Sequence, residues 1–141
     1  MNFNLPDKKH YPTTELSLFP CEISCEELKK QILLAPISIQ KILNYYLLTD
    51  YENKYEEAYI FLKCYYENRK IPLEKIKDPV IYKVIKTVRG IQRQIHKLMG
   101  LLRFREIEGG YLYGPFESDF DIIIPLSNHF THRFPDEKLI L

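Results

Sequence analysis

The segment from about Asp78 to Leu101 constrains the fold of this chain more than any other part of the sequence. Asp78 can cap a helix N-terminus, and Pro79 suits the first helical position because an N–H there has no helical partner. On a helical wheel one arc is apolar and is formed by Val84, Val88, Ile91, Ile95, Leu98, Met99 and Leu102. The segment therefore predicts a long amphipathic helix with a buried apolar stripe.

The opposite arc of this helix carries only positive charge. Its five cations are Lys83, Lys86, Arg89, Arg93 and Lys97. A solvated helix face usually mixes signs, because like charges three or four residues apart repel. The net charge of +1 conceals this pattern: residues 79–105 hold seven Lys/Arg and no acid, whereas residues 106–141 hold two Lys/Arg and seven acids. Either an external anion or the acids at Glu117, Asp119 and Asp121 are expected to neutralise the stripe.

Weaker signals predict four further helices and a small sheet. The helices are expected from the Ser24–Glu27 capping box to Pro36, from Ser38 onward, from about Asp50 to Arg69, and after Pro125. Two short alternating runs around Gly109-Gly110 predict a β-hairpin, and residues 138–141 predict a last strand. The predicted fold class is α+β: a bundle of about five helices with a small sheet near the C-terminus.

A two-residue hairpin turn determines which side chains share a face of the sheet. Whether the turn is Glu108-Gly109 or Gly109-Gly110, Phe104 is expected on the face of Tyr111 and Tyr113. Two arginines, Arg103 and Arg105, are then expected on the opposite face with Leu112.

Length and composition predict a single domain. The 141 residues form a single domain in this prediction, with residues 1–20 as an extended lead-in. The sequence contains no run of about 18 apolar residues and no apolar stretch at its start, so a cytoplasmic protein without a membrane span is expected. Its three cysteines, Cys21, Cys25 and Cys64, predict neither a disulfide framework nor a metal site, and no cofactor is expected.

The third predicted helix carries a stripe of tyrosines. Tyr51, Tyr55, Tyr59, Leu62 and Tyr66 share one face at spacings of three or four residues. Such a stripe can stack bases, but packing against neighbouring helices is the favoured interpretation.

Two histidines are candidates for chemistry. His96 lies near the boundary between the apolar and cationic arcs of the long helix. His129 shares a face of the last helix with Arg133, away from the apolar pair Phe130 and Phe134. If they converge, histidines and arginines suit phosphate recognition or acid–base catalysis. The alternative for His96 is a packed histidine that bonds a backbone carbonyl.

Two stretches resemble a known family. The segments "QRQIHKLMGLLRFRE" and "GGYLYGPFESDFDIIIPLSNHFTHRFP" are similar to the core of an uncharacterised bacterial family of DNA metabolism or repair proteins, and the similarity covers about residues 78–136. Members of that family are encoded beside a radical S-adenosylmethionine protein similar to spore photoproduct lyase, or are fused to uracil-DNA glycosylase. The matching positions are His96, Gly100, Arg103, Phe104, His129, Phe130 and Arg133.

The sequence departs from that family in two places. Gln94-Ile95 precede His96 where the family usually has Glu-Ala, so no adjacent carboxylate is expected to orient this histidine. The family tends to continue past the last strand into a His-Asp segment. The resemblance therefore implies a shortened member or a fragment, whose enzymatic site would be incomplete.

Three functions remain as hypotheses. The first is a DNA-repair accessory domain that binds backbone phosphates without sequence preference. Its expected phosphate ligands are Lys86, Arg89, Arg93, Lys97, Arg103, Arg105 and Arg133. The second is a docking module for the radical S-adenosylmethionine protein, with the tyrosine stripe or the acidic C-terminal region as its interface. The third is an enzyme acting on nucleic acid or nucleotides through His96 and His129, and it ranks last because catalysis by this chain alone is the least expected.

Overall fold

The computed structural model describes residues 24–141. These residues form five α-helices, one short 3-10 turn and three β-strands. The helices are α1 (Cys25–Leu34), α2 (Ile37–Tyr46), α3 (Lys54–Glu67), α4 (Pro79–Leu101) and α5 (Ile123–Arg133); the 3-10 turn is Leu73–Lys75, and the strands are β1 (Arg105–Ile107), β2 (Tyr111–Tyr113) and β3 (Lys138–Ile140). The predicted α+β class, mainly helical with a small C-terminal sheet, is confirmed. The predicted lead-in at residues 1–20 lies outside the described residues.

Local sequence signals fix the helix ends. The Ser24 hydroxyl accepts a hydrogen bond from the Glu27 amide at 3.2 Å and so caps α1. The Asp78 carboxylate accepts from the amides of Val80 and Ile81 at 2.8 and 3.1 Å, and Pro79 begins α4 as predicted. Both caps satisfy N–H groups that would otherwise lack partners at a helix start.

Helix α3 begins later than the predicted start near Asp50. The Lys54 ammonium donates to the Leu47 and Thr49 carbonyls at 3.1 and 2.6 Å, just beyond the end of α2. A cation at a helix C-terminus stabilises carbonyls that have no helical partner. The residues between Asp50 and Lys54 therefore form the connection between α2 and α3, and α3 ends at Glu67 instead of Arg69.

Two clusters of buried side chains form the core, and α4 contributes to both. The first cluster joins the apolar faces of α1, α2 and α3 to Ile81, Val84 and Val88 of α4. The second joins Ile91 and Ile95 to α5 and to aromatic residues around the sheet. The predicted apolar stripe of α4 is thus buried from Val84 to Ile95 and half-buried at its C-terminal end. Within the described residues, no helix is both long and apolar enough to cross a membrane.

The three strands are ordered β1-β2-β3, with β1 antiparallel and β3 parallel to β2. Arg105 pairs with Tyr113 and Ile107 with Tyr111, so three residues lie between the paired strands. Gly109 and Gly110 both adopt positive φ, at 86° and 73°, in this longer loop.

The predicted two-residue turn is therefore wrong, and so is the predicted side-chain alternation. One additional loop residue shifts the register and moves each β1 side chain to the other face of the sheet. Arg105 shares the face of Tyr111 and Tyr113, with its guanidinium 5.1 Å from the Tyr113 ring centroid.

Gly114 lies where the hairpin meets the core, and we expect Gly114→Ala to destabilise the protein. A Cβ there would lie 2.5 Å from Leu102 Cδ2 and 2.8 Å from Phe104 Cε1, while the Phe104 ring is itself held against Phe130 at a centroid distance of 4.9 Å. The expected loss in the free energy of unfolding is about 1–3 kcal/mol, measured by urea denaturation.

Gly90→Ala is the matched control in α4. A Cβ at Gly90 would meet no heavy atom within 4 Å, so alanine should raise the free energy of unfolding by roughly 0.5–1 kcal/mol through its better helix propensity. Equal effects of the two substitutions would contradict this account of Gly114.

Candidate functional site

A groove of about 840 Å³ runs along the exposed side of α4. Helix α4 forms one wall, and the 3-10 turn with the residue that follows it forms the other. The groove is lined by Leu73, Glu74, Ile76, Ile81, Tyr82, Ile85, Lys86, Arg89, Gln92, Arg93, His96 and Lys97. A concave surface of this size is typical of a ligand-binding site.

The lining of the groove is apolar on one side and cationic on the other. Leu73, Ile76 and Ile85 are half-buried against the first core cluster, and Ile81 is almost fully buried beneath them. The α4 wall carries the cations, whereas the turn contributes one acid, Glu74. A ligand that fits this groove would combine a negative charge with an apolar or aromatic part.

Four of the five predicted cations line the groove and are exposed. They are Lys86, Arg89, Arg93 and Lys97. None of them forms an ion pair with any residue of 24–141. The Arg93 Nε donates to the Arg89 carbonyl at 3.2 Å, and the Lys86 ammonium lies 5.8 Å from the centroid of the Tyr82 ring. The cations are therefore open to an external anion.

The fifth cation, Lys83, is neutralised within the fold. Its ammonium forms an ion pair with Glu57 Oε1 of α3 at 2.5 Å and lies 4.9 Å from the Tyr51 ring centroid. The other oxygen of Glu57 accepts a hydrogen bond from the Tyr46 hydroxyl of α2. On the helical wheel Lys83 lies at the edge of the cationic arc nearest α3, which explains why a carboxylate of α3 reaches it and not its neighbours.

The acidic turn does not cover the cationic stripe. Glu117, Asp119 and Asp121 are exposed, and across the described part of the chain they form no ion pair with α4. The turn is held elsewhere, since the Asp121 amide donates to the Leu48 carbonyl at 3.0 Å. The expected intramolecular neutralisation is thus wrong for these acids, and the ion pair comes from α3 instead.

The other three predicted phosphate ligands lie outside the groove. Arg103 is exposed in the connection from α4 to β1, and Arg105 packs on Tyr113 in the sheet. Arg133 is exposed at the end of α5, with its guanidinium 5.5 Å from the Phe134 ring centroid. The structure therefore groups four of the seven predicted ligands and leaves three as separate surface positions.

The groove contains His96 but not His129. His96 is exposed and forms no hydrogen bond with the residues of 24–141, so the packed alternative does not describe it. The His129 ring lies edge-on to Phe130 at 5.0 Å, and its Nε2 is buried with no hydrogen-bond partner in the described chain. A shared acid–base site for the two histidines is not formed in this groove.

Only the C-terminal part of the predicted tyrosine stripe packs against the first core cluster, and Tyr51 precedes α3. Tyr59 and Tyr66 are half-buried there beside the buried Leu62, as the packing interpretation predicts, while Tyr51 and Tyr55 are exposed. The aromatic side chain of the groove is Tyr82, which sequence reasoning missed. Its signal was its spacing, because it precedes Lys86 by four residues and Arg89 by seven and so shares their face.

The described cysteines are poor candidates for a nucleophile or a metal ligand. Burial, and then the charge of Asp78, raises the pKa of Cys64 to about 11, so its thiol is protonated at neutral pH. Cys25 is exposed in α1, and Cys21 lies outside the described residues. Among residues 24–141, no three His, Cys, Asp or Glu side chains are grouped so that they could hold a metal ion.

We expect Tyr46→Phe to cost more stability than Lys83→Met. Tyr46 is fully buried, and its hydroxyl donates to a charged carboxylate, an interaction worth about 1.5–3 kcal/mol. Lys83 is half-exposed, so its ion pair with Glu57 contributes at most about 1 kcal/mol. Chemical denaturation of both variants measures the difference, and a larger loss for Lys83→Met would contradict this ranking.

The raised pKa of Cys64 predicts a loss of stability at alkaline pH. The unfolded thiol ionises near 9.0, whereas the folded thiol stays protonated up to about 11. The contribution of this group is therefore complete below pH 9.0 and falls as the pH rises through that window. Between about pH 8 and pH 10, the free energy of unfolding should fall less steeply in Cys64→Ala than in the wild type. If the free energy of unfolding fell equally steeply with pH in both proteins, a contribution from Cys64 would be excluded.

Comparison with known proteins places the chain in a family. The family described as "Domain of unknown function (DUF4130)" matches residues 52–141, which is more than half of the chain and includes every residue of the groove. No curated protein and no solved structure matches the chain. Because the match covers α3, α4, the sheet and α5, the chain belongs to the DUF4130 family.

Proposed function

We propose that the protein is a DNA-metabolism accessory domain that binds nucleic-acid phosphates along α4. The observation that carries this proposal is the row of four exposed cations without ion pairs among residues 24–141: Lys86, Arg89, Arg93 and Lys97. Arg103, Arg105 and Arg133 are proposed to extend the contact beyond the groove.

Energetics support a role for the cationic row beyond solubility. Like-charged neighbours on a helix cost a few tenths of a kcal/mol per pair, and a solubilising face gains nothing from having a single sign. A polyanion converts this cost into binding energy, because each neutralised phosphate releases condensed counterions. Such contacts position the chain on a backbone and do not read sequence.

The proposed partners follow from the resemblance described above. A radical S-adenosylmethionine protein or a uracil-DNA glycosylase would perform the chemistry, and this chain would hold nucleic acid near it. The groove supports this division of labour, because it contains one histidine and several cations but not the second candidate catalytic residue, His129.

Protein docking is the second candidate function. Leu33, Leu34 and Ile37 form an apolar corner between α1 and α2 and are 71%, 83% and 70% exposed. Exposed apolar surface of this kind is typical of a protein contact. Retention of the partner enzyme at high salt in the absence of DNA, and its loss in Leu34→Ser, would support docking at this corner.

Charge reversal of two groove cations tests phosphate binding. We expect Arg89→Glu with Arg93→Glu to reduce oligonucleotide affinity by more than tenfold. For four groove contacts, the slope of log affinity against log salt should be about −2.8 on a single strand and about −3.6 on a duplex. In the double variant, which loses two of the four contacts, this slope should be less negative by at least about 1.4. Fluorescence anisotropy across a salt series measures both quantities.

The matched control is Lys29→Glu with Lys30→Glu. These two lysines are exposed on α1, outside the groove, and their reversal changes the net charge by the same amount. Equal losses in the two double variants would show that net charge, not the α4 row, determines binding. Unchanged affinity in a folded Arg89→Glu/Arg93→Glu protein would refute the proposal.

A further inference from the structure

We infer that the α4 groove takes unpaired bases of a single-stranded nucleic acid, with Tyr82 as the stacking side chain. This inference rests on the proposed function of the same groove and names its ligand class. Three observations support it: an exposed aromatic ring in the groove, the apolar floor of the groove, and the spacing of the cations along α4.

Tyr82 lies in the groove with no packing role that accounts for it. Its side chain is 67% exposed, whereas the buried stripe of α4 faces the opposite direction. The Lys86 ammonium is 5.8 Å from its ring centroid, so an aromatic face and a phosphate ligand lie within reach of a single nucleotide. Aromatic faces beside a cationic track are the usual means of binding single strands, because every base has a π-face that can stack.

The floor of the groove favours bases over phosphates alone. Leu73, Ile76 and Ile85 present apolar surface to a space of about 840 Å³. A duplex keeps its bases inside and presents charged phosphates, which would leave this apolar surface hydrated. Unstacked bases cover it and remove it from water.

The spacing of the cations also fits an extended strand. Lys86, Arg89, Arg93 and Lys97 follow one another by three, four and four residues, which corresponds to about 4.5, 6 and 6 Å along the helix axis. Intervals of this size let successive cations reach successive phosphates of one strand, so the row can follow a single backbone.

The single acid of the groove orients the strand. Glu74 lies on the wall opposite the cations and repels phosphate, so the backbone is expected to follow α4 while the bases point over the floor toward the 3-10 turn. Gln92, on the α4 side, offers an amide that can donate to or accept from any base edge. Neither group selects one base, so the binding should tolerate any sequence.

An acidic peptide is the competing occupant, since the cations alone would attract it as well. A peptide supplies negative charge but no row of flat π-faces for Tyr82 and the apolar floor. Nucleic acid satisfies both requirements at every residue of its chain, and this favours it as the ligand.

The test compares oligo(dT) with an abasic deoxyribose-phosphate oligomer of the same length and charge. We expect the full chain to bind oligo(dT) about tenfold more tightly than the abasic oligomer or a polyglutamate of equal charge, and more tightly than a duplex of equal length. Tyr82→Ala should abolish the preference for oligo(dT) over the abasic oligomer, while Tyr82→Phe should retain it. Tyr55→Ala, which removes another exposed tyrosine ring outside the groove, is the control and should retain the preference.

The outcomes separate this inference from the proposed function. Equal binding of oligo(dT) and the abasic oligomer by the wild type would overturn base stacking and leave phosphate binding intact. If a duplex or polyglutamate bound more tightly than oligo(dT), the assignment of single-stranded nucleic acid as the ligand would be overturned. Failure of all nucleic-acid probes to bind would overturn the proposed function and this inference together. Because Tyr82 is exposed, the variants should melt like the wild type, which circular dichroism verifies.

Discussion

Burial of the apolar stripe of α4 is the interaction on which the rest of the structure depends. Val84 and Val88 complete the first core cluster, and Ile91 and Ile95 complete the second. Each such side chain contributes roughly 1.5–3 kcal/mol on burial, whereas each like-charged pair on the opposite face costs only a few tenths. Burial therefore determines the rotation of α4 about its axis, and the fold tolerates the row of cations that this rotation directs toward solvent.

The same rotation explains why one cation is neutralised and four are not. The edge of the cationic arc nearest α3 brings Lys83 to Glu57, a carboxylate with only 15% of its side chain exposed and already held by the Tyr46 hydroxyl. The other edge faces the 3-10 turn, which offers apolar side chains and Glu74 alone. The cationic arc is thus neutralised where α4 packs against α3 and left open where it faces the 3-10 turn.

Local signals made α4 predictable, whereas features that depend on tertiary packing were not. The cap at Asp78 and the proline after it act within one turn, so sequence alone located the start of the helix. The hairpin was predicted correctly, but its register was not, because two-residue and three-residue loops share the same glycine signature and place Arg105 on opposite faces. The groove was not predicted because its second wall is a short turn whose side chains Leu73 and Ile76 pack against the first core cluster, a tertiary contact that no local sequence signal reveals. The spacing of Tyr82 from Lys86 and Arg89 placed it on the cationic face of α4, but the predicted tyrosine stripe was the more conspicuous aromatic pattern.

The extent of the family match has a physical consequence for the site. Residues 52–141 contain both walls of the groove as well as Glu57 and Lys83, whereas α1 and α2 lie outside the match. Yet α2 supplies Tyr46, which holds one oxygen of Glu57 while the other oxygen holds Lys83. The matched region therefore carries the proposed binding surface, whereas α2, outside it, helps to hold the carboxylate that neutralises Lys83. A helix that contributes no lining residue to the groove thus supports the ion pair that ends the row of open cations.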